Sequence, residues 1–254
     1  MKVAYNPRNI AFGICLLLLA IAGCSKPDTK PAKVRLGNFL ANSTSVTVQI
    51  YNENGVNDSI EVKYGEVTSY KTLQPGRYAF KVMAQGKIIL NKTYGLGDDG
   101  RYTIDVAGLL PQEANKINKH ITLARLQNIT EGAAAHPANG YYPVLSLFND
   151  YFIKEDGKGK VRVVNLLPGA VALEAIFTKE DEAVNEFSGL KYPKAAETKP
   201  FEPGSYTIKL KYKGNALAGV FNNVVVEEGK LTTFYIMPDM HNDTPIIAKT
   251  TAEP

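Results

Sequence analysis

The chain is poor in the side chains that bind metal ions or form disulfides. Its 254 residues include two cysteines, Cys15 and Cys24, and three histidines, His120, His136 and His241. No histidine has a second histidine or a cysteine at the spacing of a zinc site, so we predict no metal centre. Because Cys15 lies in an apolar N-terminal run, the rest of the chain has no pair of cysteines for a disulfide. Hydrophobic cores must therefore stabilise the fold.

Sequence motifs of the common enzyme classes are also missing. The chain has no Gly-x-Ser-x-Gly elbow and no phosphate-binding loop. Asp98-Asp99-Gly100 lacks the acidic spacing of a calcium loop and is typical of a turn. We therefore predict a protein that is not an enzyme, with no catalytic residues and no cofactor. The alternative, an enzyme with a dispersed site, requires polar side chains that converge in a deep pocket.

Neither sign of charge is in large excess. Lys and Arg number 29 and Asp and Glu number 25, which gives a formal net charge of +4. Residues 1–23 hold two of the bases and no acid, so the remainder has 27 bases, 25 acids and a charge of +2. The densest basic stretch, Lys154 to Arg162, is interrupted by Glu155 and Asp156. Proteins that bind nucleic acids cluster their bases on one face, so we predict no nucleic-acid partner.

The N-terminus has the pattern of an export signal. Two bases precede an apolar run from Ile10 to Ala22, which is shorter than the roughly 20 apolar residues that span a bilayer. The run ends in Ile21-Ala-Gly-Cys24, which resembles the lipobox of bacterial lipoproteins. This resemblance implies cleavage before Cys24 and lipid attachment to its sulfur, so acyl chains would hold the protein to a membrane. The alternative is an ordinary signal peptide that is cleaved elsewhere.

The residues after Cys24 bear on the location of the protein. Ser25 to Lys33 are polar, include two prolines and carry Asp28 as their only acid, which suits a tether. Ser25 is compatible with sorting to the outer membrane, but the acidic cluster that marks surface export in some Gram-negative lipoproteins is missing. We expect a lipid-anchored outer-membrane protein of the cell envelope and leave open whether it faces the periplasm or the surface.

The rest of the chain contains an internal repeat. Val34-Arg-Leu-Gly-Asn-Phe-Leu40 returns as Val161-Arg-Val-Val-Asn-Leu-Leu167. Leu73-Gln-Pro-Gly-Arg-Tyr-Ala-Phe-Lys-Val82 returns as Phe201-Glu-Pro-Gly-Ser-Tyr-Thr-Ile-Lys-Leu210. The offsets are 127 and 128, so the two landmarks keep their spacing. A repeat of this length is a domain rather than a solenoid unit.

We therefore predict two domains, at 34–153 and 154–254, after a signal peptide at 1–23 and a lipidated tether at 24–33. The first domain would contain an insertion at about 111–142. In this interpretation Val144–Phe148 forms its last strand. The alternative assigns the last strand to Ile121–Leu126, and the two segments could also pair as a hairpin.

Apolar and polar residues alternate in both halves, as in Val46 to Tyr51, Tyr78 to Val82 and Tyr206 to Tyr212. Such alternation predicts antiparallel strands with one buried face, and turn pairs such as Pro75-Gly76 separate them. A sustained helical period is absent, and the best helical candidate, Pro111 to His120, is short. The fold class that follows is all-β, with two tandem immunoglobulin-like antiparallel β-sandwiches after the cleaved lipoprotein signal peptide.

A tyrosine follows the Pro-Gly turn in each half, at Tyr78 and Tyr206. This spacing resembles the tyrosine corner of immunoglobulin-like sandwiches, in which the phenol forms a hydrogen bond back across a corner. We assign both tyrosines a structural role.

Longer motifs suggest a family. Three features resemble the tandem domains called "domain of unknown function 4397". They are Val161-Arg-Val-Val-Asn-Leu-Leu-Pro168, the Pro-Gly-x-Tyr strands, and the segment Val144–Tyr151 that leads to Gly157–Arg162. The first domain departs from the pattern at Gly37 and lacks a proline after Leu40. The resemblance implies extracytoplasmic β-sandwich modules of envelope lipoproteins, and it implies no catalytic residues.

Aromatic residues concentrate near 141–152, and they support one of two functional hypotheses. We predict a non-catalytic envelope lipoprotein, a structural or binding module with a membrane anchor and an envelope protein or glycan as partner. The alternative is a carbohydrate-binding or adhesin lipoprotein that uses exposed rings near 141–152, with Tyr141 and Tyr142 as binding candidates. It predicts that these rings lie exposed on one face. They could instead fill the seam between the domains or the core of the first.

Overall fold

The computed structural model describes residues 29–117, 141–168, 173–180, 182–212, 215–241 and 245–254. Cys24 with its signal peptide, His120, His136 and the segment 121–126 lie outside these residues, so the predictions made for them stay predictions. Within the described part of the chain, no helix is long and apolar enough to cross a membrane.

The described residues form 17 strands and one short helix, α1, at Pro111–Ile117. The strands that precede the second repeat are β1 Ala32–Ala41, β2 Ser45–Asn52, β3 Gly55–Lys63, β4 Lys71–Leu73, β5 Gly76–Ala84, β6 Lys87–Leu96, β7 Arg101–Leu109 and β8 Val144–Asn149. The strands of the second repeat are β9 Gly159–Asn165, β10 Leu173–Lys179, β11 Glu182–Leu190, β12 Lys194–Ala195, β13 Lys199–Phe201, β14 Gly204–Tyr212, β15 Asn215–Val226, β16 Leu231–Pro238 and β17 Pro245–Ala252.

Each repeat folds into two packed sheets with the same strand order. In the first, a sheet β3-β2-β5-β6 faces a sheet β4-β1-β7-β8. In the second, β11-β10-β14-β15 faces β12-β9-β16-β17, and β13 also pairs with β9. The predicted all-β sandwich architecture is confirmed, and the duplicated sequence has a duplicated topology. The predicted domain boundary at 153 and 154 stays a prediction.

The strand pairing differs from that of an immunoglobulin domain in two respects. In an immunoglobulin domain the third strand joins the sheet of the sixth and seventh, whereas here β3 pairs with β2. The sheets are also not antiparallel throughout, because β1 runs parallel to β7 and β9 runs parallel to β16. Alternation of apolar residues reports a buried face but not the direction of the neighbouring strand, so the sequence does not reveal these pairs.

The cores lie between the sheets of each sandwich, as the alternation predicts. In β2 and β5 every second residue is buried, among them Val48, Phe80 and Val82. Both tyrosine corners are confirmed: the Tyr78 hydroxyl donates to the Gln74 carbonyl at 2.9 Å, and the Tyr206 hydroxyl donates to the Glu202 carbonyl at 2.6 Å. The repeated tyrosine is therefore a repeated structural device.

A third cluster of buried apolar residues joins the two sandwiches. It contains the stacked rings of Phe39 and Tyr235, with centroids 4.5 Å apart, and also Ala107, Val164, Leu166, Tyr192 and Met237. The outer faces of the β1 and β9 sheets thus pack on each other, and four sheets lie in layers. We call this contact the seam. It buries β1 and β9 on both faces, so the half-buried pattern of β2 and β5 does not extend to them.

The preferred assignment of the last strand of the first repeat is also confirmed. β8 pairs antiparallel with β7, with Ala107 opposite Val144 and Tyr102 opposite Asn149. The helical candidate at Pro111 is helical as far as Ile117.

Candidate functional site

Two arginines at equivalent positions of the repeat point into the seam. Arg35 on β1 and Arg162 on β9 are each only 3% exposed. The parallel pairing places Arg35 opposite Thr103 and Arg162 opposite Thr233. Each arginine Nε donates to that threonine hydroxyl, at 2.8 Å for Arg35 and 3.1 Å for Arg162. The duplicated sequence therefore builds the same buried Arg–Thr pair twice.

Each arginine also reaches across the seam into the other sandwich. Arg35 Nη1 donates to the Thr250 hydroxyl and to the Thr251 carbonyl, both at 2.8 Å. Arg162 Nη1 donates to the Asn149 carbonyl at 2.9 Å. Hydrogen bonds from a charged donor are stronger than neutral ones, so these contacts fix the two sandwiches in one arrangement.

Asp150, at the end of β8, is the centre of the charged cluster. Its side chain is fully buried and accepts hydrogen bonds from Arg162 Nη2 at 2.5 Å, the Thr103 hydroxyl at 2.5 Å and the Tyr70 hydroxyl at 2.7 Å. Arg35 Nε lies 3.5 Å from the same carboxylate. One buried acid thus serves two buried arginines, and its hydrogen-bonding capacity is used within the protein.

Asp105 on β7 is the least satisfied polar group of the cluster. It is fully buried, and neither of its carboxyl oxygens has a hydrogen-bond partner among the described residues. Burial raises the pKa of Asp105 to about 8, with Arg162 and Arg35 opposing the rise and Asp150 adding to it. The protonated form of Asp105 is therefore favoured well above the pH range in which an ordinary aspartate ionises. A Cβ at position 37 would overlap its Oδ1, which explains why the first repeat has glycine where the second has Val164.

A cleft of about 480 Å³, which we call the interdomain cleft, opens beside this cluster. Lys33 and Arg101 line it from the first sandwich, and Lys230 and Glu253 line it from the second. Tyr70 lines the cleft and also contacts the cluster. Its ring centroid lies 4.7 Å from Arg35 Cζ, and its hydroxyl donates a hydrogen bond to Asp150. Burial raises the pKa of Tyr70 above its ordinary value, so its hydroxyl keeps its proton.

The predicted aromatic site is divided between different surroundings. Tyr141 and Tyr142 are half-buried, and the Tyr141 carbonyl accepts a hydrogen bond from the Leu109 amide at 2.8 Å. Phe152 is buried beside Leu231 and Ala252, whereas Tyr151 is 70% exposed.

Phe148 packs against the seam, under the Arg162 guanidinium. Phe148 and Phe152 therefore do not join Tyr151 on one exposed face, and none of the aromatic residues from 141 to 152 lines the interdomain cleft. A binding role for Tyr141 and Tyr142 stays a prediction.

Metal-binding side chains do not come together in the part of the chain that is described: no group of three His, Cys, Asp or Glu residues could hold an ion there. His241 is exposed, and its amide donates to Asp239 at 2.9 Å.

The arginines and Asp150 were not among the predicted site residues. The repeat contained a signal for part of the cluster, because Val-Arg opens both copies and an asparagine follows three residues after each arginine. Asn38 and Asn165 have equivalent structural roles, since each side-chain amide donates to a backbone carbonyl of the facing sheet, at 3.0 Å for Val62 and 2.8 Å for Leu190. Thr103, Asp105, Asp150 and Tyr70 belong to no motif, so nothing in the sequence identified them.

No family model and no curated protein matches this chain. Among solved structures, it is similar to the Bacillus anthracis TIE protein at 12% identity and a TM-score of 0.27, over 82% of this chain and 34% of that one. It is also similar to a candidate cell adhesion protein from Bacteroides ovatus, at 10% identity and a TM-score of 0.25, over 89% of this chain and 98% of that one. The tip fimbrial protein Mfa3 from Porphyromonas gingivalis has 9% identity and a TM-score of 0.23, over 89% and 99% of the two chains. These scores assign neither a family nor a ligand to this chain.

Proposed function

We propose that this chain is a non-catalytic, lipid-anchored binding module of the cell envelope. In this proposal lipid on Cys24 holds the protein to the outer membrane, and residues 24–33 act as a tether. The two sandwiches then present their loops and clefts to an envelope protein or a glycan. The resemblance to the tandem domains of unknown function implies the same kind of module.

The observation that carries the proposal is the way the seam uses its charged groups. Asp150 accepts from Arg162, Thr103 and Tyr70, so its oxygens are occupied inside the protein. A catalytic acid or base must come within hydrogen-bond reach of its substrate, and a fully buried carboxylate with these partners is poorly placed for that. The cluster is better suited to hold two sandwiches as one rigid support for a binding surface.

The experiment is membrane fractionation of cells that express the wild-type chain or Cys24→Ala, followed by protease treatment of intact cells and mass spectrometry. We expect the wild type in the outer-membrane fraction and Cys24→Ala to be lost from that fraction. Ser25→Ala is the matched control, because it changes the neighbouring residue and keeps the sulfur. If Cys24→Ala stays in the outer-membrane fraction as the wild type does, the proposed anchor is wrong.

Protease treatment of intact cells separates the two hypotheses about the partner. Cleavage on whole cells would support an adhesin that faces the surroundings. Protection until the outer membrane is broken would support a periplasmic module with an envelope protein as partner.

A further inference from the structure

We propose that the interdomain cleft binds a sugar that carries an oxyanion, either a carboxylate or a sulfate. This inference rests on the binding role proposed above and names the ligand class and the residues involved. Lys33 and Arg101 would bind the oxyanion, and Tyr70, Thr72 and Thr251 would contact the rest of the sugar.

Positive charge from both sandwiches converges on the cleft. Lys33 lies on β1, Arg101 begins β7, and Lys230 directly precedes β16. Glu253 is the only acid among the lining residues. Arg101 is held in place because its Nη1 donates to the Glu253 carbonyl, and Lys230 forms an ion pair with Glu227 at 2.7 Å. Because Glu227 neutralises Lys230, the excess of positive charge comes from Lys33 and Arg101 against Glu253, and this excess attracts an anion.

The duplication provides an internal comparison for Lys33. The equivalent residue of the second repeat, Lys160, forms an ion pair with Glu155 and is only 12% exposed at its side chain. Lys33 is exposed, and it takes part in none of the ion pairs found among the described residues. The ammonium that is neutralised in one repeat thus remains available at the cleft in the other.

The size and the other lining groups fit a sugar better than a bare ion. A volume of about 480 Å³ falls within the range of roughly 300 to 1,000 Å³ that small-ligand sites occupy. Thr72 and Thr251 line the cleft, and a threonine hydroxyl can exchange hydrogen bonds with sugar hydroxyls. Tyr70, whose ring also lies under the Arg35 guanidinium, is the aromatic residue of this lining, and a sugar ring can pack on an aromatic side chain.

Two other clefts are weaker candidates. A cleft of about 910 Å³ beside β3 and β4 contains Lys71 and Arg77, but Lys71 is paired with Asp58 and Glu53 also lines the space, so two cations meet two acids there. A cleft of about 290 Å³ near β11 and β12 contains Lys191, Lys194 and Lys199 with Glu197, but all of these residues belong to the second sandwich and the space is the smallest of the three. Among these three clefts of the described residues, the interdomain cleft alone has cations from both sandwiches.

The test is isothermal titration of the purified full-length protein with three probes of similar size. These are trigalacturonate as the carboxylate, a sulfated galactotriose as the sulfate, and unmodified galactotriose as the neutral control. We expect at least one anionic probe to bind at least tenfold more tightly than the neutral one. The difference should shrink as the salt concentration rises, because salt screens exposed charges. The two anionic arms decide between carboxylate and sulfate.

Variants then locate the site. Lys33→Gln and Arg101→Gln should each weaken binding of the preferred anion at least fivefold, whereas Lys87→Gln, an exposed lysine at the start of β6, should change it less than twofold. Lys33 is exposed, so its replacement leaves the fold intact, and a circular dichroism melt of each variant verifies this. Equal binding of charged and neutral probes, or an unchanged affinity in Lys33→Gln, would overturn the inference. Fractionation of the Cys24→Ala protein tests the anchor separately, so failure at the cleft is distinguishable from failure of the proposed function.

Discussion

The two repeats have the same strand order and the same buried arginines, yet they differ where they face each other. Position 37 is glycine in the first repeat and its equivalent is Val164 in the second. Asp105 corresponds to Tyr235 by the register of the parallel strands. Asp150 and Ala252 are also equivalent positions. Asp150 follows Asn149, which pairs with Tyr102, and Ala252 follows Thr251, which pairs with Thr232. The copies thus diverged at the seam while their own cores kept one pattern.

This divergence explains which polar groups remain unsatisfied. Arg162 Nη2 donates to Asp150, whereas Arg35 Nη2 has no partner among the described residues. The second sandwich supplies Ala252 at the position where an acid would complete the symmetry. A duplicated fold therefore does not need duplicated contacts, since one acid can serve both arginines when the repeats pack together.

Removal of Asp150, the acid that both arginines share, should have the largest effect on the unfolding free energy. Asp150→Ala leaves two buried guanidinium groups without a carboxylate, and loss of one partner of a buried ion pair typically costs about 3–5 kcal/mol of unfolding free energy. Urea unfolding measures the change. Asp58→Ala is the matched control, because Asp58 pairs with Lys71 at the surface and should cost about 0–1 kcal/mol. Equal effects of the two substitutions would contradict the central role of Asp150.

The second test concerns Asp105, which has a tyrosine, Tyr235, at the equivalent position of the second repeat. It measures how the unfolding free energy depends on pH. An unfolded aspartate titrates near pH 4, whereas the pKa of Asp105 is about 8 in the folded protein. Between these values the folded state holds a proton that the unfolded state has lost, so the unfolding free energy falls as pH rises and levels off above pH 8. Asp105 faces Arg162, Arg35, Asp150 and Tyr235, and burial raises the pKa of Tyr235, so this phenol stays neutral throughout.

Asp105→Asn keeps the shape of the side chain and cannot ionise. We expect it to stabilise the protein by about 1–3 kcal/mol above pH 8, where the wild type has an unpaired buried charge, and to have little effect at pH 5. Urea unfolding at a series of pH values between 5 and 9 measures this difference. A variant whose stability follows the wild-type pH profile would show that Asp105 is not the titrating group.

The smallest expected effect concerns a feature that the two repeats share. Tyr78→Phe and Tyr206→Phe each remove one hydroxyl that donates to the carbonyl four residues earlier. Each should cost about 0.5–1.5 kcal/mol, the usual net contribution of one hydrogen bond. Thermal unfolding of both variants measures it. Similar losses of stability in the two variants would agree with equivalent tyrosine corners. A large loss in one variant alone would show that the tyrosine has different roles in the two repeats.

The interior of each sandwich was predictable from sequence, because alternation in strands such as β2 and β5 reports a single buried face. The repeat of Val34-Arg-Leu and Val161-Arg-Val also predicted that both halves share one fold. The seam was not predictable in the same way. Its strands are buried on both faces and include arginine and threonine, which the apolar pattern does not count. The contact between Arg162 and Asp150 depends on two sandwiches packing together, and no local pattern encodes that arrangement.

The position of β1 has a mechanical consequence. β1 is the first strand after the predicted tether, and it lies between β4 and β7, with Lys33 to Ala41 paired to β7 in parallel. A pull from an anchor at Cys24 would act along the axis of this strand. The hydrogen bonds on both of its sides would then share the force in shear, instead of opening one after another from an end. If the protein is tethered as proposed, its first strand is placed to resist extraction when a bound partner is pulled away from the membrane.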